Sequence, residues 1–414
     1  MAKVAILGFG TVGSGVLEVI RTNASSISRR VGQEVSVKYI CDIRDFSGHP
    51  DEKLFVKEID TVLRDEEVQV VVETIGGLNP AYFYVKSALE SGKHVATSNK
   101  ELVAVHGAEL LALAKDKGVC FLFEASVGGG MPMIAPLRDS LAANVVQELY
   151  GIINGTTNFM LTEMAEKGCN FDEALHHAQE LGYAETRDPS ADVDGIDAQR
   201  KICILSSLIL GREIHPENVP VRGIRGIAPE DFKALAACQS TVKLIARFSC
   251  RDDVLSPDIS VEPMAVPKES PLAGVNDVYN AAMIRCDMLG DVMFYGKGAG
   301  KLPTASAVVA DVMDVLVKQH AASEGLMWRA CEPLEQGTYF CTEEKSDWYM
   351  RGRGASAPQG MREIWREGER FAGIVRGISR TQWDDFCENA EKNGFCVENT
   401  MRLLTKEKGA AYDN

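Results

Sequence analysis

The sequence predicts an α/β protein in which a parallel sheet with helices on both faces is followed by two α+β segments. Short apolar runs alternate with longer amphipathic runs as far as residue 124, which is typical of strand–helix–strand units. The chain has 414 residues, enough for two or three domains. Hydrophobic residues make up 45% and charged residues 25%, as in globular proteins and unlike disordered ones.

The predicted elements follow in chain order. In the first domain, we expect strands at 4–7, 35–40, 68–73, 94–97 and 119–124, a glycine-rich turn at 8–15, and helices at 16–28, 82–91 and 102–117. The middle of the chain predicts a strand at 148–153 and helices at 135–141, 159–167, 171–181, 196–210 and 305–319. The stretch 321–334 resembles a linker. The last 80 or so residues predict a segment at 337–342, a loop at 350–360, helices at 361–369 and 382–392, and strands at 372–378 and 400–404.

Charge and cysteine usage exclude several classes of protein. With 44 Lys and Arg against 59 Asp and Glu, the net charge of -15 disfavours nucleic acid as a partner. No run of about 20 apolar residues predicts a membrane helix, and the first residues lack the features of a secretory signal. The 11 cysteines are scattered without a pairing pattern. Together these features predict a cytoplasmic protein with reduced thiols.

A glycine-rich motif directly after the first strand predicts a dinucleotide site and hence a Rossmann-type sheet. The motif is G-x-G-x-x-G and comprises Gly8, Phe9, Gly10, Thr11, Val12 and Gly13. Its glycines permit close approach of a pyrophosphate to the start of a helix. After the second strand, Asp42 would bind the ribose hydroxyls of NAD, whereas Arg44 would bind the 2′-phosphate of NADP. The residues alone leave this choice open. Thr74, after the third strand, is also assigned to this site.

Other polar segments follow predicted strands. Lys100 lies where a ligand would bind at the carboxyl end of a sheet, although the same residues also fit a helix start. Residues 124–132 combine Glu124 with a run of glycines, which would suit a hard cation or, equally, a hinge. Residues 151–158 offer neutral groups for an amino acid, or a turn with capping threonines. Asp197 and Lys201 are four residues apart on a mostly apolar helix, which favours a site over a surface ion pair.

As a set, these motifs resemble those of homoserine dehydrogenases over roughly residues 1–320. The shared motifs are GFGTVG, SNKE, EASVGGGMP, GIINGTTNF, GYAE followed by DVDGIDAQRK, and YGKGAGKLPTASAVVAD. The resemblance implies reversible reduction of L-aspartate 4-semialdehyde to L-homoserine with NAD(P)H, at the branch toward threonine, methionine and isoleucine. Since no kinase-like segment precedes the glycine motif, a monofunctional enzyme is expected.

The resemblance also implies roles for individual residues. The catalytic set is Lys201, Lys100 and Asp197, and the substrate set is Glu185, Tyr183, Gly155, Thr156 and Asp192. The family positions that hold a monovalent metal ion, usually sodium, correspond to Glu124, Val127, Gly129 and Met131. By the same resemblance, Lys100 and Gly300 would also contact the cofactor, and Arg44 would favour NADP over NAD. One residue is inserted after Glu185, where Thr186 and Arg187 intervene, so the alignment of Asp188 and Asp192 with the family pattern is affected.

The resemblance further implies the domain organisation. The dinucleotide domain is expected at 1–134, completed by 297–320, and the substrate-binding and dimerisation domain at 135–296. Residues 335–414 are expected to form an ACT-like regulatory domain of βαββαβ order with an altered effector site. A homodimer or higher homo-oligomer is expected.

Two rival functions remain open at this point. One is a semialdehyde dehydrogenase that would use Cys120 or Cys169 as a nucleophile, although neither has a matching base. The other is a non-catalytic NAD(P) sensor, which would not need the Asp197–Lys201 pair.

Overall fold

A computed structural model describes residues 1–250, 257–318, 326–334, 339 and 344–404 of the chain. The N-terminal part forms a parallel sheet of six strands. These are β1 (Ala2–Leu7), β2 (Val35–Cys41), β3 (Phe55–Val56), β4 (Val68–Glu73), β5 (His94–Thr97) and β6 (Phe121–Leu122). Their order β3-β2-β1-β4-β5-β6 reverses direction between β1 and β4, as in dinucleotide-binding folds. The Rossmann-type sheet predicted from the sequence is confirmed.

Five helices cover this sheet: α1 (Thr11–Thr22), α2 (Ala24–Val31), α3 (Ile59–Leu63), α4 (Ala81–Glu90) and α5 (Lys100–Lys117). The predicted turn at 8–15 and helix at 16–28 were placed wrongly, because the helix already begins at Thr11 and breaks at Asn23. Glycines inside α1 are tolerated because they permit close packing. A Cβ at Gly13 would lie 2.0 Å from the carbonyl oxygen of Gly8. One at Gly15 would lie 2.8 Å from the carbonyl oxygen of Lys301.

The second part of the chain builds a mixed sheet backed by helices. Its elements are β7 (Val146–Ile152), α6 (Gly155–Lys167), α7 (Phe171–Glu180), α8 (Ser190–Val193), α9 (Ile196–Leu210), α10 (Pro229–Ala236), β8 (Ser240–Ser249), β9 (Asp258–Pro267), β10 (Tyr279–Cys286) and β11 (Gly290–Lys297). The predicted helix at 135–141 is a π-helical turn, Pro136–Ser140. Helix α11 (Lys301–Lys318) then returns to pack on α1 and the first sheet.

The C-terminal part contributes β12 (Ser346–Arg353), β13 (Arg362–Glu367), β14 (Arg370–Ile378), α12 (Arg380–Lys392) and β15 (Cys396–Leu403). Strand β15 pairs in parallel with β9, so one sheet runs β11-β10-β7-β8-β9-β15-β12-β14-β13. The fold-class prediction of a small C-terminal α+β unit is confirmed.

Two details of that prediction were wrong. The predicted helix at 361–369 is strand β13, and the predicted loop at 350–360 begins inside β12. Between β12 and β15, the described residues contain one helix, α12, rather than two. Gly368, with a φ of 61°, turns the chain into a hairpin, and pairing with β14 overrides the helical propensity of the Arg and Glu residues.

The predicted linker at 321–334 is described only from residue 326, and the predicted segment at 337–342 lies outside the described residues except for residue 339. The part that is described is anchored. Trp328 is buried and packs where a Cβ on Gly107 would clash with it, at 2.4 Å. Among the described residues, no helix is both long and apolar enough to cross a lipid bilayer.

Candidate active site

A cleft of about 560 Å³ opens between the carboxyl ends of the first sheet and the second part of the chain. Most of the residues that the sequence assigned to catalysis and substrate binding line it. The lining includes Val12, Lys100, Val127, Gly129, Gly155, Thr156, Tyr183, Asp192, Asp197, Lys201, Val278, Gly298 and Gly300. Ligands bind at this edge of open parallel sheets, so the location agrees with the fold.

Two lysines share one buried carboxylate at the centre of the cleft. Lys100, at the start of α5, places its Nζ 2.5 Å from Oδ1 of Asp197. Lys201, one turn after Asp197 on α9, donates to Oδ2 at 2.8 Å and to the carbonyl oxygen of Ile153 at 2.7 Å. The i, i+4 spacing predicted the second contact, whereas the first joins residues that are 97 positions apart.

The electrostatics of the three groups follow from their burial and charge. Burial opposes ionisation of Asp197, but the two ammonium groups outweigh it and hold the pKa of the carboxyl well below its usual range. Burial lowers the pKa of Lys201 in spite of the same carboxylate. For Lys100, burial acts in the same direction, but Asp197 prevails and the pKa is raised. The site therefore holds two amines of unequal acidity around one anion.

Asn154 connects this centre to a second carboxylate, and sequence reasoning did not single it out. Its Nδ2 donates to Asp192 at 2.7 Å and to Asp197 at 2.9 Å. Its Oδ1 caps α6 by accepting from the backbone N–H of Thr157. Burial raises the pKa of Asp192. The sequence offered Asn154 only as one of the neutral polar groups of residues 151–158, and its bonds to two carboxylates depend on contacts that the fold creates.

The remaining residues that were predicted to bind the substrate fall into two groups. Gly155 and Thr156 begin α6 beside the lysines, and the Thr156 hydroxyl donates to the carbonyl oxygen of Tyr183 at 2.7 Å. Glu185 is exposed and is not among the residues that line the cleft. Its carbonyl oxygen instead accepts from the side chain of Gln179 at 3.0 Å. In this conformation, the segment with the inserted residue therefore turns the Glu185 carboxylate outward.

The glycine motif, residues 8–13, forms the turn from β1 into α1, and this turn is called the glycine cradle below. Gly8 has a φ of 87°, a left-handed conformation that favours glycine. The backbone N–H of Phe9 donates to Asp42 at 2.7 Å, and the Thr74 hydroxyl donates to the carbonyl oxygen of Gly8 at 2.8 Å. Asp42 also pairs with Arg44 at 2.8 Å, which holds the pKa of Asp42 well below its usual range. The half-exposed Arg44 guanidinium thus lies at the end of β2, where a ribose would bind.

A buried carboxylate supports the loops next to this cradle, and it was missed from the sequence. Glu73, the last residue of β4, accepts from the Thr97 hydroxyl at 2.5 Å and from the backbone N–H groups of Ile75 and Gly76. The Thr97 hydroxyl in turn accepts from the backbone N–H of Asn99, which caps the helix that begins with Lys100. Burial raises the pKa of Glu73. An acid that ends an apolar strand was its only sequence signal.

The segment assigned to a metal ion is tightly folded. Glu124 accepts from the backbone N–H groups of Met133, Ile134 and Ala135, at 2.6, 3.0 and 2.6 Å. A Cβ at Gly129 would lie 2.2 Å from the carbonyl oxygen of Gly298. Within the described ranges, no group of three or more His, Cys, Asp or Glu side chains is placed to hold a metal. Backbone oxygens with a single carboxylate suit a hard cation better than a transition metal.

Comparisons with known proteins agree with this geometry. Residues 132–313 match the family model for homoserine dehydrogenase, and residues 8–124 match the model for its NAD-binding domain. The chain belongs to the homoserine dehydrogenase family. The homoserine dehydrogenase of Synechocystis is 41% identical over 319 residues, which are 76% of this chain and 73% of that protein. The Neisseria gonorrhoeae enzyme is 38% identical over 368 residues, or 87% and 84% of the two chains.

Solved homoserine dehydrogenases share the fold as well. The Thiobacillus denitrificans structure superposes with a TM-score of 0.87 at 33% identity and covers 97% of this chain and 98% of its own. A hyperthermophilic archaeal homoserine dehydrogenase, solved in complex with NADPH, has a TM-score of 0.65 at 31% identity and covers 77% and 98%. The resemblance and the oxidoreductase activity predicted from the sequence are confirmed.

The two rival functions are not supported for this homoserine dehydrogenase family member. Among the described residues, no cysteine lines the cleft. Cys120 is buried in the first part of the chain, and Cys169 lies between α6 and α7. A thiohemiacetal mechanism would need one of them beside the substrate. A protein that only binds the cofactor would not need the Asp197–Lys201 pair in the cleft.

Proposed function

We propose that the cleft binds L-aspartate 4-semialdehyde or L-homoserine between Lys100, Lys201 and Asp192, beside a nicotinamide cofactor. The single observation that carries this proposal is the pairing of both ammonium groups with Asp197 inside the cleft. When bound, the nicotinamide supplies or accepts the hydride. The glycine cradle, with Gly10 at the start of α1, fits the pyrophosphate of such a cofactor.

The lysines handle the charge and the proton at the reacting oxygen. Negative charge develops on the carbonyl oxygen during reduction, and a nearby ammonium stabilises it. Lys201 uses one N–H on Asp197 and one on Ile153, which leaves its third for the substrate oxygen. Its pKa, lowered by burial, favours proton donation in one direction and proton acceptance in the other. Lys100 is the alternative donor.

The polar groups around the lysines would bind the amino acid part of the substrate. Asp192 and Asn154 lie on one side of the cleft, and Thr156 and Tyr183 form its rim. Glu185 would bind the α-amino group after the segment around it turns inward. Glu185→Gln is then expected to raise the KM for homoserine while leaving the KM for the cofactor unchanged.

Variants of the two lysines test the catalytic proposal. We expect Lys100→Ala and Lys201→Ala each to lower the turnover of homoserine by about a hundredfold or more, because each removes an ammonium from the transition state. Lys115→Ala, near the far end of the helix that begins at Lys100, is the matched control and should retain turnover. Near-normal turnover in both active-site variants, measured from cofactor absorbance, would refute the proposal.

For the cofactor, we propose a preference for NADP over NAD. Arg44 lies at the end of β2 with its guanidinium half exposed, and a 2′-phosphate could replace Asp42 as its partner. Arg44→Ala should raise the KM for NADP and leave the KM for NAD almost unchanged. Equal increases for the two cofactors would contradict this role.

We also propose that Glu124 and the carbonyl oxygens of Val127, Gly129 and Met131 hold a sodium ion. The donor set has the chemistry for it, although three backbone N–H groups already occupy most of the carboxylate. Replacing sodium by choline in the thermal unfolding buffer should lower the melting temperature of the wild type. Glu124→Gln should lose this sodium dependence.

Finally, we propose the wider context of the enzyme. It would serve the cytoplasmic synthesis of threonine, methionine and isoleucine as a homodimer, with the domain limits given above and a regulatory C-terminal domain. Strand β11 ends the long sheet, follows the exposed Met288 and carries the exposed Tyr295, which supports pairing through the second domain. Light scattering should report twice the chain mass, and threonine should alter the homoserine assay.

A further inference from the structure

A buried lysine outside the catalytic centre lies behind one wall of the cleft. Lys243 lies on β8 and is 2% exposed. Its Nζ donates to the carbonyl oxygen of Val275 at 2.5 Å, to Oδ1 of Asn276 at 3.1 Å and to Oδ1 of Asn158 at 3.2 Å. All three acceptors are neutral oxygens. Burying a charged group costs free energy, so a buried lysine among neutral oxygens indicates a specific role for its ammonium.

The oxygens that bind Lys243 belong largely to one loop, residues 275–279. Asn158, on α6, donates from Nδ2 to the carbonyl oxygens of Val275, Asp277 and Tyr279, at 3.1, 2.9 and 3.1 Å. Thr162, one turn later on α6, accepts from the backbone N–H of Asp277 at 3.2 Å. Asp277 has a φ of 54°, which few residues other than glycine adopt. The loop therefore holds a strained shape between β8 and α6.

The same loop contributes Val278 to the lining of the cleft, next to Gly155 and Thr156. A Cβ on Gly155 would lie 2.8 Å from the carbonyl oxygen of Val278, so the loop packs directly on the start of α6. Lys243 lies behind this wall and is not among the residues that line the cleft. Its contacts connect it to the cleft through the loop.

We propose that Lys243 is a positioning residue for the substrate: its ammonium gathers the oxygens of loop 275–279 and thereby fixes the wall that Val278 forms beside Gly155. This inference rests on the proposed binding of the amino alcohol in this cleft. A loop held less tightly would bind the substrate less well in its ground state and its transition state alike. The dinucleotide cradle, built on the first sheet, would not be affected.

The test compares two buried lysines. Lys93 is also buried, and its Nζ also donates to two backbone oxygens, those of Asp65 and Val68, at 2.7 and 3.0 Å. It precedes β5 at the amino edge of the first sheet, the edge opposite the cleft. Lys93→Met therefore removes a buried ammonium without touching the substrate wall, and it is the matched control for Lys243→Met.

We expect Lys243→Met to raise the KM for homoserine about tenfold with kcat and the KM for the cofactor changed less than about twofold. Lys93→Met should lower the melting temperature to a similar extent and leave both KM values unchanged. A homoserine KM that rises no more in Lys243→Met than in Lys93→Met would overturn the proposal. So would a parallel rise in the cofactor KM.

A milder variant covers the case in which Lys243→Met does not fold. Thr162→Val keeps the side-chain shape but removes the acceptor for Asp277, and it should raise the homoserine KM about threefold. An unchanged homoserine KM in folded Thr162→Val would overturn the proposal. Lys201→Ala tests the catalytic assignment separately. Full activity of that variant, together with a raised homoserine KM in Lys243→Met, would reject the amine chemistry and still support Lys243 as a positioning residue.

Discussion

Polar side chains in and near the cleft form small hydrogen-bonded groups, and each group joins distant parts of the chain. The Asp197–Lys201 pair could be predicted because both residues lie on one helix face. Asn154 and Glu73 could not, since their roles arise from contacts between loops that only the fold creates. For Glu185 the reverse holds, because the motif identified the residue but its side chain is exposed to solvent in the structure.

Replacement of Glu73 tests one of the groups that the sequence did not reveal. A glutamine at this position has one oxygen for three donors, so Glu73→Gln should loosen the loop after β4 and the cap of α5 together. We expect the KM for the cofactor to rise several-fold and turnover to fall, because Lys100 begins that helix. Steady-state kinetics with cofactor as the varied substrate would measure this. A normal cofactor KM would argue against the role.

Lys243 gives a prediction about pH and stability. Burial lowers its pKa from 10.5 to about 8, while Glu166 on α6 and Asp277 in the loop oppose the shift. Below pH 8, the folded protein bears the full cost of the buried charge. Between pH 8 and 10.5, only the unfolded chain keeps the proton, so this contribution to the free energy of unfolding increases with pH. The free energy of urea unfolding of the wild type, minus that of Lys243→Met, should therefore rise between pH 8 and 10.5. A flat difference would contradict it.

The helices and strands explain which predictions from periodicity succeeded. The buried strands of the first sheet could be predicted because their apolar runs are continuous, as parallel strands require. The helix predicted at 361–369 was wrong because its residues favour a helix locally but pair with β14 through the turn at Gly368. The start of α1 was missed because Gly13 and Gly15, which suggest a turn, are required for packing.

Substitutions of Gly13, inside α1, and of Gly10, at its N-cap, should have different effects on stability and on cofactor binding. A Cβ at Gly13 would lie 2.0 Å from the carbonyl oxygen of Gly8, whereas one at Gly10 would meet nothing within 4 Å. Gly13→Ala should therefore lower the free energy of unfolding by about 1–3 kcal/mol and weaken cofactor binding. Gly10→Ala should retain stability but weaken cofactor binding, because its methyl group would meet the pyrophosphate. Calorimetry with and without the cofactor distinguishes these outcomes. Equal stability of the two variants would contradict the packing argument.

The second part of the chain and the C-terminal part are joined by one continuous sheet. Besides the β9–β15 pairing, the buried Asp231 on α10 accepts from Tyr349, Arg351 and Asn399, at 2.9, 2.8 and 3.0 Å. The C-terminal α+β unit was predictable from its alternating elements. Its attachment was not, because the contacts span more than 110 positions.

Removal of the Asp231 carboxylate should destabilise both parts together. Asp231→Ala leaves the buried Arg351 with Glu398 as its remaining acid partner among the contacts described, and should lower the free energy of unfolding by about 3 kcal/mol. Unfolding in urea should remain a single transition for the two parts. Asp384→Ala, on the exposed face of α12, is the control and should change stability by less than about 0.5 kcal/mol. Separate transitions in the wild type would argue against a shared sheet.

A crystal structure with oxidised cofactor and L-homoserine bound together would test the assignment of the cleft. The two ammonium groups around Asp197 are expected to flank the reacting oxygen, so the homoserine hydroxyl should lie about 3 Å from Nζ of Lys201 or Lys100. A hydroxyl more than about 6 Å from both amines, too far for a hydrogen bond even through one water, would contradict the account.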